Sequence, residues 1–398
     1  MGKKILVVAG EASGDLHGAS LISTLRKRFP EIQPTGIGGD GLRKEMVSLL
    51  HDSSGWGAIG IMEAVQKVPG WLRAFWDVKK LIRTDPPDVI VLIDSPAFNV
   101  RLARFARKLG IPTVYFFPPS AWSANVRRAR QIAQLVTRVI ATFAFTASVY
   151  RKAGEEAFFF GHPFVDLVQP TASRDEALER FGLTGGGPIV GLLPGSRDHE
   201  IRYLLPEMLA TASLLLREMP EIRFVLPIAT RYLRDRVVRE ISKASIGQAV
   251  SLVEGLTYDA MNVCDLLLVT SGSATLEAAC LGKPMVIVYK LSRLTWMVLR
   301  LVVKVPYAGL PNLIAEKKIV PEYLQERVKA DTLARAVLDL LRDPCALAEM
   351  RKNMDLVRSR LGQPGVMERV ADVVAETAGW KDIEDKKVGQ SGYCHSLK

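Results

Sequence analysis

One aspartate, Asp94, stands at the end of the largely apolar run 88–93 (DVIVLI). Such a run is typical of a buried strand, so Asp94 would lie at the carboxyl end of that strand. Open α/β sheets bind ligands at this edge, and a carboxylate there can accept a proton from a substrate hydroxyl. Asp94 is therefore a candidate general base. A cap for the predicted helix over 101–109 is the alternative, which Pro96 favours.

The segment 265–291 (DLLLVTSGSATLEAACLGKPMVIVYKL) combines a strand, a turn of small residues, a helix and a second strand. Small residues let a ligand approach the backbone, and the N-terminus of the helix attracts an anion such as a diphosphate. Glu277, about one turn into the helix, could accept hydrogen bonds from two ribose hydroxyls. A buried turn that binds nothing is the alternative. The candidate residues are Ser271, Gly272, Ser273, Ala274, Thr275 and Glu277.

Two further loops follow predicted strands. The loop 193–197 (LPGSR) carries Arg197, whose guanidinium can pair with a phosphate. The segment 10–15 (GEASGD) lacks the G-x-G-x-x-G spacing, so it does not predict a dinucleotide, and a tight turn explains it equally well. Asn312 breaks an apolar segment and is a candidate contact, whereas His162, before a proline, is more typical of a structural residue.

Predicted strands and helices alternate through two series, which indicates two Rossmann-like α/β domains with a cleft between them. A glycine-rich stretch at 184–188 introduces the second series. Residues 330–342 and 345–361 predict the last helices, and the chain ends in polar residues. The predicted divisions are an N-terminal domain 1–165, a linker 166–188, a C-terminal domain 189–342, closing helices 343–385 and a polar tail 386–398.

Residues 54–83 hold three of the six tryptophans, interleaved with basic residues. Pro69 and Gly70 predict that this stretch forms two short helices. Core packing is one interpretation of its apolar residues, and an interfacial or acyl-binding surface is another. A second apolar helix with flanking basic residues is predicted over 292–303.

The chain carries a net charge of +11, and residues 95–154 contain no aspartate or glutamate. This basic span is either an ordinary solvated face or a docking surface for anionic lipid or nucleic acid. Neither zinc-finger spacing nor an RNP-like strand is present, so no nucleic-acid partner is expected. The N-terminal apolar run is too short for a signal peptide, and no segment approaches the length of a membrane span. A cytoplasmic protein with four reduced cysteines is expected.

Several segments, in this order, resemble lipid-A-disaccharide synthase, a GT-B glycosyltransferase family of lipopolysaccharide biosynthesis. Some of them also occur in related GT-B enzymes, but their combination in one chain is much more specific. The segments are AGEASGD (9–15), GIGGDGL (36–42), GIMEA (60–64), IDSPAFN (93–99), GHPFVD (161–166), LPGSR (193–197), SGSATLEA (271–278) and LPNLIA (310–315).

The resemblance implies a GT-B fold and transfer of sugar from UDP-2,3-diacylglucosamine to 2,3-diacylglucosamine 1-phosphate. Asp94 would be the general base, Glu277 would hold the ribose, and Arg197 and Asn312 would assist at the donor. Donor-binding residues would further include Gly195, Ser196 and the turn at 271–275. Residues facing the acceptor or lipid would be Gly10, Glu11, Ser13, Gly14, Asp15, Met62, Glu63, Trp71, Phe75 and Trp76.

The family often has a second acidic residue where this chain has Ala97, which leaves Asp94 as the sole carboxylate in that segment. Without a D-x-D motif, neither a metal nor another cofactor is expected. The basic and Trp-rich stretches would dock the protein peripherally on the anionic inner face of the inner membrane, and a homodimer stays open. The alternatives are a UDP-N-acetylglucosamine 2-epimerase or other UDP-sugar enzyme with a soluble substrate, and a non-catalytic nucleotide- or membrane-binding module.

Overall fold

The computed structural model describes residues 2–56, 61–119, 126–228, 230–244, 246–292, 295–297 and 306–380, with the backbone alone at 61–67 and 231. Most of the predicted helix over 292–303 and all of the tail 386–398 lie outside these residues. The predicted alternation of strands and helices is confirmed, since the described chain forms two parallel sheets with helices packed against them.

The first sheet has seven parallel strands in the order β3-β2-β1-β4-β5-β6-β7. The central pair, β1 and β4, is almost wholly buried, as expected for strands covered by helices on both faces. Ala9 lies opposite Ile93 in the register, so the loops after these two strands emerge side by side. The strands are β1 (Lys4–Ala9), β2 (Gln33–Gly38), β3 (Ser48–Asp52), β4 (Val89–Ile93), β5 (Thr113–Phe116), β6 (Arg138–Ala141) and β7 (Phe158–Phe159).

The second sheet repeats this plan with six parallel strands in the order β10-β9-β8-β11-β12-β13. Its central pair, β8 and β11, aligns Leu193 with Val269, so the loops 194–197 and 271–272 are neighbours. In both sheets the strand order reverses at the central pair, where open α/β sheets form a ligand crevice. The strands are β8 (Ile189–Leu193), β9 (Arg223–Ile228), β10 (Val250–Glu254), β11 (Leu266–Thr270), β12 (Met285–Tyr289) and β13 (Glu322–Leu324).

The helices cover both faces of the two sheets. The first eight are α1 (Ala12–Arg28), α2 (Asp40–Lys44), α3 (Ile61–Thr84), α4 (Pro96–Lys108), α5 (Val126–Ala133), α6 (Ala144–Lys152), α7 (Phe164–Leu167) and α8 (Arg174–Phe181). The next eight are α9 (Asp198–Glu218), α10 (Arg234–Lys243), α11 (Thr257–Val263), α12 (Ser273–Cys280), α13 (Leu310–Ala315), α14 (Ala330–Leu341), α15 (Pro344–Arg360) and α16 (Val366–Thr377). Short 3-10 turns lie at Arg231–Leu233, Gly247–Ala249 and Gln325–Arg327.

The prediction of two short helices around Pro69 and Gly70 is wrong, because α3 runs continuously through both residues. Proline removes one backbone donor, but the buried residues Ala74, Val78 and Ile82 recur every four positions and hold the following turns on the sheet. The segment 10–15 is also less of a turn than predicted, since α1 begins at Ala12.

The C-terminal helix α16 returns to the first half of the chain. Arg28 of α1 pairs with Asp372 at 2.5 Å, and the Phe29 and Trp380 rings meet at 5.6 Å. The Asp166 carboxylate accepts hydrogen bonds from the amides of Gly365 and Val366 at 2.8 and 2.7 Å, which caps this helix. Helix α16 therefore contributes to the core that covers the first sheet.

Candidate active site

Asp94 leaves β4 with an unusual backbone. Both Asp94 (φ 53°) and Ser95 (φ 40°) are left-handed, a conformation that costs a non-glycine residue about 1–3 kcal/mol. The Asn99 side-chain amide holds this turn by donating to the carbonyl oxygens of Ile93 (3.1 Å) and Asp94 (2.8 Å). The Tyr115 hydroxyl donates to the same Asp94 oxygen at 2.9 Å. Such strain, held from two sides, is typical of a functional position.

The environment of Asp94 suits a proton acceptor near neutral pH. Burial raises the pKa of its carboxyl to about 7, and the negative charge of Glu11 acts in the same direction. The Ser95 amide and the Arg197 charge lower that pKa but do not cancel the effect. A carboxylate with this pKa can take a proton from a hydroxyl and release it again at neutral pH.

Glu11 is the neighbour that sequence reasoning did not connect with Asp94. It follows β1, and Gly10 beside it packs so closely on the loop after β4 that a Cβ there would lie 1.8 Å from the Ser95 Oγ. Gly10 thus brings the two loops together. The second carboxylate at this edge comes from the loop after β1, because the segment that follows Asp94 has Ala97 and no further acidic residue up to residue 154.

An ion pair joins the two halves of the chain across the cleft. The Arg197 guanidinium donates through Nη2 to Glu11 Oε2 at 2.5 Å and through Nη1 to Glu200 Oε1 at 3.0 Å. Burial lowers the pKa of Arg197, but the charges of Glu11 and Glu200 outweigh it and raise that pKa overall. Arg197 therefore stays cationic while it faces the carboxylates of the first sheet.

The loop before α9 holds Arg197 in place. Gly195 has φ 113°, and a Cβ there would lie 2.2 Å from Glu200 Oε2. The same Glu200 oxygen accepts hydrogen bonds from the amides of Ser196 (2.9 Å) and Arg197 (3.1 Å). The Tyr232 hydroxyl donates to the Ser196 carbonyl at 3.2 Å. Glycine is needed here because the loop folds tightly over a buried carboxylate.

Helix α12 begins beside this loop, at the end of β11. The Thr275 hydroxyl donates to the Gly272 carbonyl at 2.7 Å, and the Ser271 hydroxyl donates to the Ala308 carbonyl at 2.6 Å. These bonds fix the turn, and the first two residues of the helix, Ser273 and Ala274, line the cleft. The first N–H groups of a helix have no partner within the helix. Burial raises the pKa of Glu277 to about 7, although a hydrogen bond from Ser273 lowers it.

These elements enclose a cavity of about 490 Å³, here called the cleft cavity. Its walls include predicted residues from both halves of the chain. They are Glu11, Ser13, Gly195, Ser196, Arg197, Ser271, Gly272, Ser273, Ala274 and Glu277. Sequence reasoning missed further lining residues, of which Thr257 and Tyr258 follow β10 and could have been found as another strand-end loop.

Several residues predicted as contacts have structural roles instead. The buried Asp15 carboxylate accepts hydrogen bonds from the amides of Gly39 (2.6 Å), Gly41 (2.7 Å) and Leu42 (3.1 Å), so it is occupied by backbone. Gly14 packs against Ile93. Asp94, Gly10, Gly14, Asp15 and Thr275 are not among the residues that line the cleft cavity. Asp94 lies beside this cavity, close enough to the lining residues Glu11 and Arg197 for their charges to shift its pKa. Only the three-dimensional structure reveals these partners, because they come from loops distant in sequence.

Asn312 is also turned away from the cleft cavity. Its side-chain oxygen accepts from the amides of Ile319 (2.7 Å) and Val320 (2.9 Å), and its NH₂ group donates to Glu322 at 2.7 Å. Glu322 in turn accepts from the amides of Ala308 and Gly309, both at 2.9 Å. The direct donor contact predicted for Asn312 is therefore corrected to an indirect role, in which it supports the loop that holds Ser271.

The aromatic residues of α3 divide into two sets. Trp71 packs against Trp56 at 6.0 Å and Phe75 against Phe98 at 5.7 Å between ring centres, so both are partly buried. Trp76 is 60% exposed. Trp71 and Phe75 are thus less accessible than Trp76, and the lipid-facing role of all three stays a prediction. The side chains of Met62 and Glu63 lie outside the described residues.

Two parallel α/β domains facing each other across a cleft make this chain a GT-B protein, and solved structures of UDP-sugar enzymes share the fold. A UDP-GlcNAc 2-epimerase from Neisseria meningitidis bound to UDP-GlcNAc has a TM-score of 0.66 and 13% identity, covering 94% of this chain and 100% of its own. An S. aureus MnaA–UDP co-structure has a TM-score of 0.64 and 13% identity, covering 95% and 97%.

The sequence profile described as lipid-A-disaccharide synthetase matches residues 5–376. The lipid-A-disaccharide synthase of Geobacter sulfurreducens is 40% identical over 376 residues, which are 94% of this chain and 97% of that protein. The corresponding Neisseria meningitidis serogroup B protein is 37% identical over 376 residues, covering 94% and 98%. The chain therefore belongs to the lipid-A-disaccharide synthase family. It is a glycosyltransferase of lipid A biosynthesis, as the resemblance predicted.

Proposed function

We propose that the chain joins UDP-2,3-diacylglucosamine to 2,3-diacylglucosamine 1-phosphate, forming a β-1,6 disaccharide 1-phosphate and UDP. The observation that carries the residue assignments is the Glu11–Arg197 ion pair at 2.5 Å. Through it, the Glu11 carboxylate of the first sheet and the cationic loop of the second sheet meet in one cleft. The pair thus brings the loop beside Asp94, the proposed proton acceptor, next to an anion-binding group, and inverting sugar transfer needs both groups.

Asp94 acts as the general base in this reaction. Its carboxylate takes the proton of the acceptor's 6-hydroxyl as the oxygen attacks the anomeric carbon of the donor from the face opposite the diphosphate. The bond between that carbon and the diphosphate oxygen breaks, and UDP leaves with the electron pair. Because attack and departure occur on opposite faces, the anomeric configuration inverts.

Arg197 and the N-terminus of α12 stabilise the departing UDP. The guanidinium and the N–H groups of Ser273 and Ala274 face charge that grows as the bond breaks, and fixed donors of this kind lower the barrier without reorganising. Glu277 lies one turn further along α12 and accepts hydrogen bonds from the ribose. In the free protein Glu11 occupies Arg197, so an incoming diphosphate competes with Glu11 for the guanidinium.

Helices α3 and α4 dock the protein on an anionic membrane surface. Among the described residues, no helix is both long and apolar enough to traverse a bilayer. Val68 (44% exposed), Leu72 (54%) and Trp76 (60%) project from α3. Lys79 lies 4.4 Å from the Trp76 ring centre, beside a row of exposed basic residues on α4. Apolar side chains flanked by cations are typical of interfacial binding.

The direct test is incubation of the full chain with UDP-diacylglucosamine and the monosaccharide 1-phosphate acceptor, with the product identified by mass spectrometry. We expect a disaccharide 1-phosphate and stoichiometric UDP. Equal turnover or 2-epimerisation of water-soluble UDP-GlcNAc would contradict the lipid substrate and favour the epimerase alternative. UDP binding without turnover of either sugar would favour a binding module.

Membrane docking is tested by flotation with vesicles of phosphatidylglycerol and phosphatidylethanolamine. Trp76→Ala should weaken binding, and Met46→Ala, which removes a side chain that is 72% exposed, is the matched control. Raising the salt concentration should release the protein, because screening weakens attraction between exposed charges and anionic headgroups. Binding that survives both changes would contradict docking through α3 and α4.

A further inference from the structure

A second cavity of about 640 Å³ adjoins the cleft cavity. The two share Ser13 and the turn 271–273, so they are continuous at the proposed diphosphate site. Unlike the cleft cavity, the second has largely aromatic and aliphatic walls, and it is here called the aromatic cavity. Both halves of the chain contribute, with Phe117, Phe143 and Phe164 on one side and Leu276, Leu310 and Leu313 on the other.

The polar groups of the aromatic cavity carry no free charge. His17 and His162 are 2% and 3% exposed, and the His17 ring stacks on Phe117 at 4.2 Å. Burial lowers the pKa of His17 to about 3 and that of His162 well below its usual range, so both imidazoles are neutral. The Glu322 carboxylate is occupied by the amides of Ala308 and Gly309 and by Asn312. Such walls suit an apolar ligand and disfavour a phosphate.

One residue that lines this cavity, His17, adds a polar side chain to its apolar walls. Among the described residues, the buried His17 Nδ1 has no hydrogen-bond partner. His17 lies four residues after Ser13 on α1, which is one helical turn inward from the junction of the two cavities. A group that can form hydrogen bonds should therefore come to rest just inside the aromatic cavity, with apolar atoms beyond it.

We propose that the aromatic cavity receives the 2-acyl chain of the sugar donor, with the acyl carbonyl beside His17. This inference rests on the proposed function and adds to it a binding site for one particular acyl chain of the donor. The anomeric carbon carries the diphosphate, and carbon 2 is its direct neighbour. Of the acyl chains on the two substrates, the donor's 2-acyl chain therefore starts closest to the turn 271–273. The α3 surface is exposed, and it contacts the bilayer instead of holding this chain.

The experiment measures the affinity of UDP-diacylglucosamine analogues by competition with fluorescent UDP, below the concentration at which the lipids aggregate. Four donors are compared: both chains butanoyl, both tetradecanoyl, and the two mixed isomers. We expect a 2-tetradecanoyl, 3-butanoyl donor to bind at least about 10²-fold more tightly than the dibutanoyl donor, because each buried methylene adds affinity. The isomer with the long chain at position 3 should gain far less.

Two variants change the volume of the aromatic cavity in opposite directions. Leu313→Trp should abolish the preference for the long 2-acyl chain while UDP itself binds as before, and Leu356→Trp on the exposed face of α15 is the matched control. Phe143→Ala should instead move the optimum to longer 2-acyl chains. A lengthened preference cannot come from loss of folding, and unchanged UDP binding reports an intact donor site.

Equal affinities for the long and short 2-acyl chains, or a chain-length preference that neither variant alters, would overturn the proposal. A stronger preference for the long chain at position 3 would overturn it as well. Since binding requires no turnover, a protein that selects chain length but forms no disaccharide would contradict the proposed reaction and still support this subsite.

Discussion

The two sheets have the same arrangement at their central strands but opposite charge. After β1 and β4, the first sheet presents the carboxylates of Glu11 and Asp94. After β8 and β11, the second sheet presents the Arg197 guanidinium and the positive N-terminus of α12. Parallel topology brings two loops together at each reversal of strand order, and residue types then decide what each crevice does.

The backbone of the two sites differs as well as the charge. In the first sheet the proposed base, Asp94, and the next residue, Ser95, are both left-handed, and Asn99 and Tyr115 form hydrogen bonds to the Asp94 carbonyl. The second sheet uses Gly195 where its loop needs a positive φ. Non-glycine strain positions a reacting side chain, whereas glycine lets backbone amides approach a ligand. This difference fits a proton acceptor on one side and an anion site on the other.

The largest expected effect comes from removing the base. Asp94→Asn should lower kcat about 10³-fold, since the amide cannot accept the hydroxyl proton, while UDP still binds to the second sheet. Initial rates with both lipid substrates and a UDP titration measure these two effects. Asp40→Asn, at an exposed carboxylate of α2, is the control and should leave kcat unchanged. Full activity of the Asp94→Asn variant would contradict the proposal that the first sheet supplies the base and the second sheet binds UDP.

Removing the cation of the second sheet should have the next largest effect. Arg197→Ala should lower kcat about 10²-fold, because the departing diphosphate loses a fixed donor, and it should also weaken UDP binding. Arg234→Ala removes a comparable charge that pairs with Glu254 on the surface. If the Arg197→Ala variant had the same UDP affinity and kcat as the parent chain, the role proposed for Arg197 at the departing diphosphate would be wrong.

The opposite charges of Glu11 and Arg197 should both affect the pH dependence of kcat/KM. Asp94 must be deprotonated to act, so kcat/KM should fall as the pH drops through about 7. Glu11 raises the pKa of Asp94 and Arg197 lowers it, so Glu11→Gln should move the acidic limb to lower pH and Arg197→Ala to higher pH. Glu31→Gln at the protein surface should not move it. Parallel shifts in the two cleft variants would refute this electrostatic coupling.

The smallest effect should come from removing the Tyr115 hydroxyl, which holds the strained turn at Asp94 and Ser95. Tyr115→Phe loses the hydrogen bond to the Asp94 carbonyl, worth about 1 kcal/mol, and should lower kcat roughly fivefold with little change in KM. Tyr150→Phe is matched, because Tyr150 is also buried and its hydroxyl has no partner among the described residues. Equal losses of activity in both variants would indicate general packing instead of positioning of Asp94.

Much of the site could be predicted because chemistry in this fold follows strand ends. Asp94, the loop 193–197 and the turn 271–275 each follow an apolar run, and all three lie at the central strand pairs of their sheets. Asp15 and Asn312 were predicted as contacts for similar reasons, but their side chains bind backbone amides from other loops. Sequence spacing cannot reveal such partners, since they depend on which loops the fold brings together.

The prediction for α3 was wrong for a related reason. Pro69 and Gly70 weaken a helix locally, yet burial of Ala74, Val78 and Ile82 against the sheet outweighs that preference. A proline inside a helix costs about 3 kcal/mol relative to alanine, and the burial of several apolar side chains can contribute more than this cost. On the same helix Trp71 and Phe75 pack against the rings of Trp56 and Phe98, whereas Trp76 is exposed.

The sequence by itself determined the two parallel α/β series, the strand-end loops and the family, because hydrophobic runs and short motifs are local properties. Only the tertiary structure decided that Glu11 stands beside Asp94, that Arg197 crosses the cleft to Glu11, and that His17 lines an aromatic cavity. These pairs join residues far apart in the chain. Their contacts and shifted pKa values arise from shared burial, which no local pattern encodes.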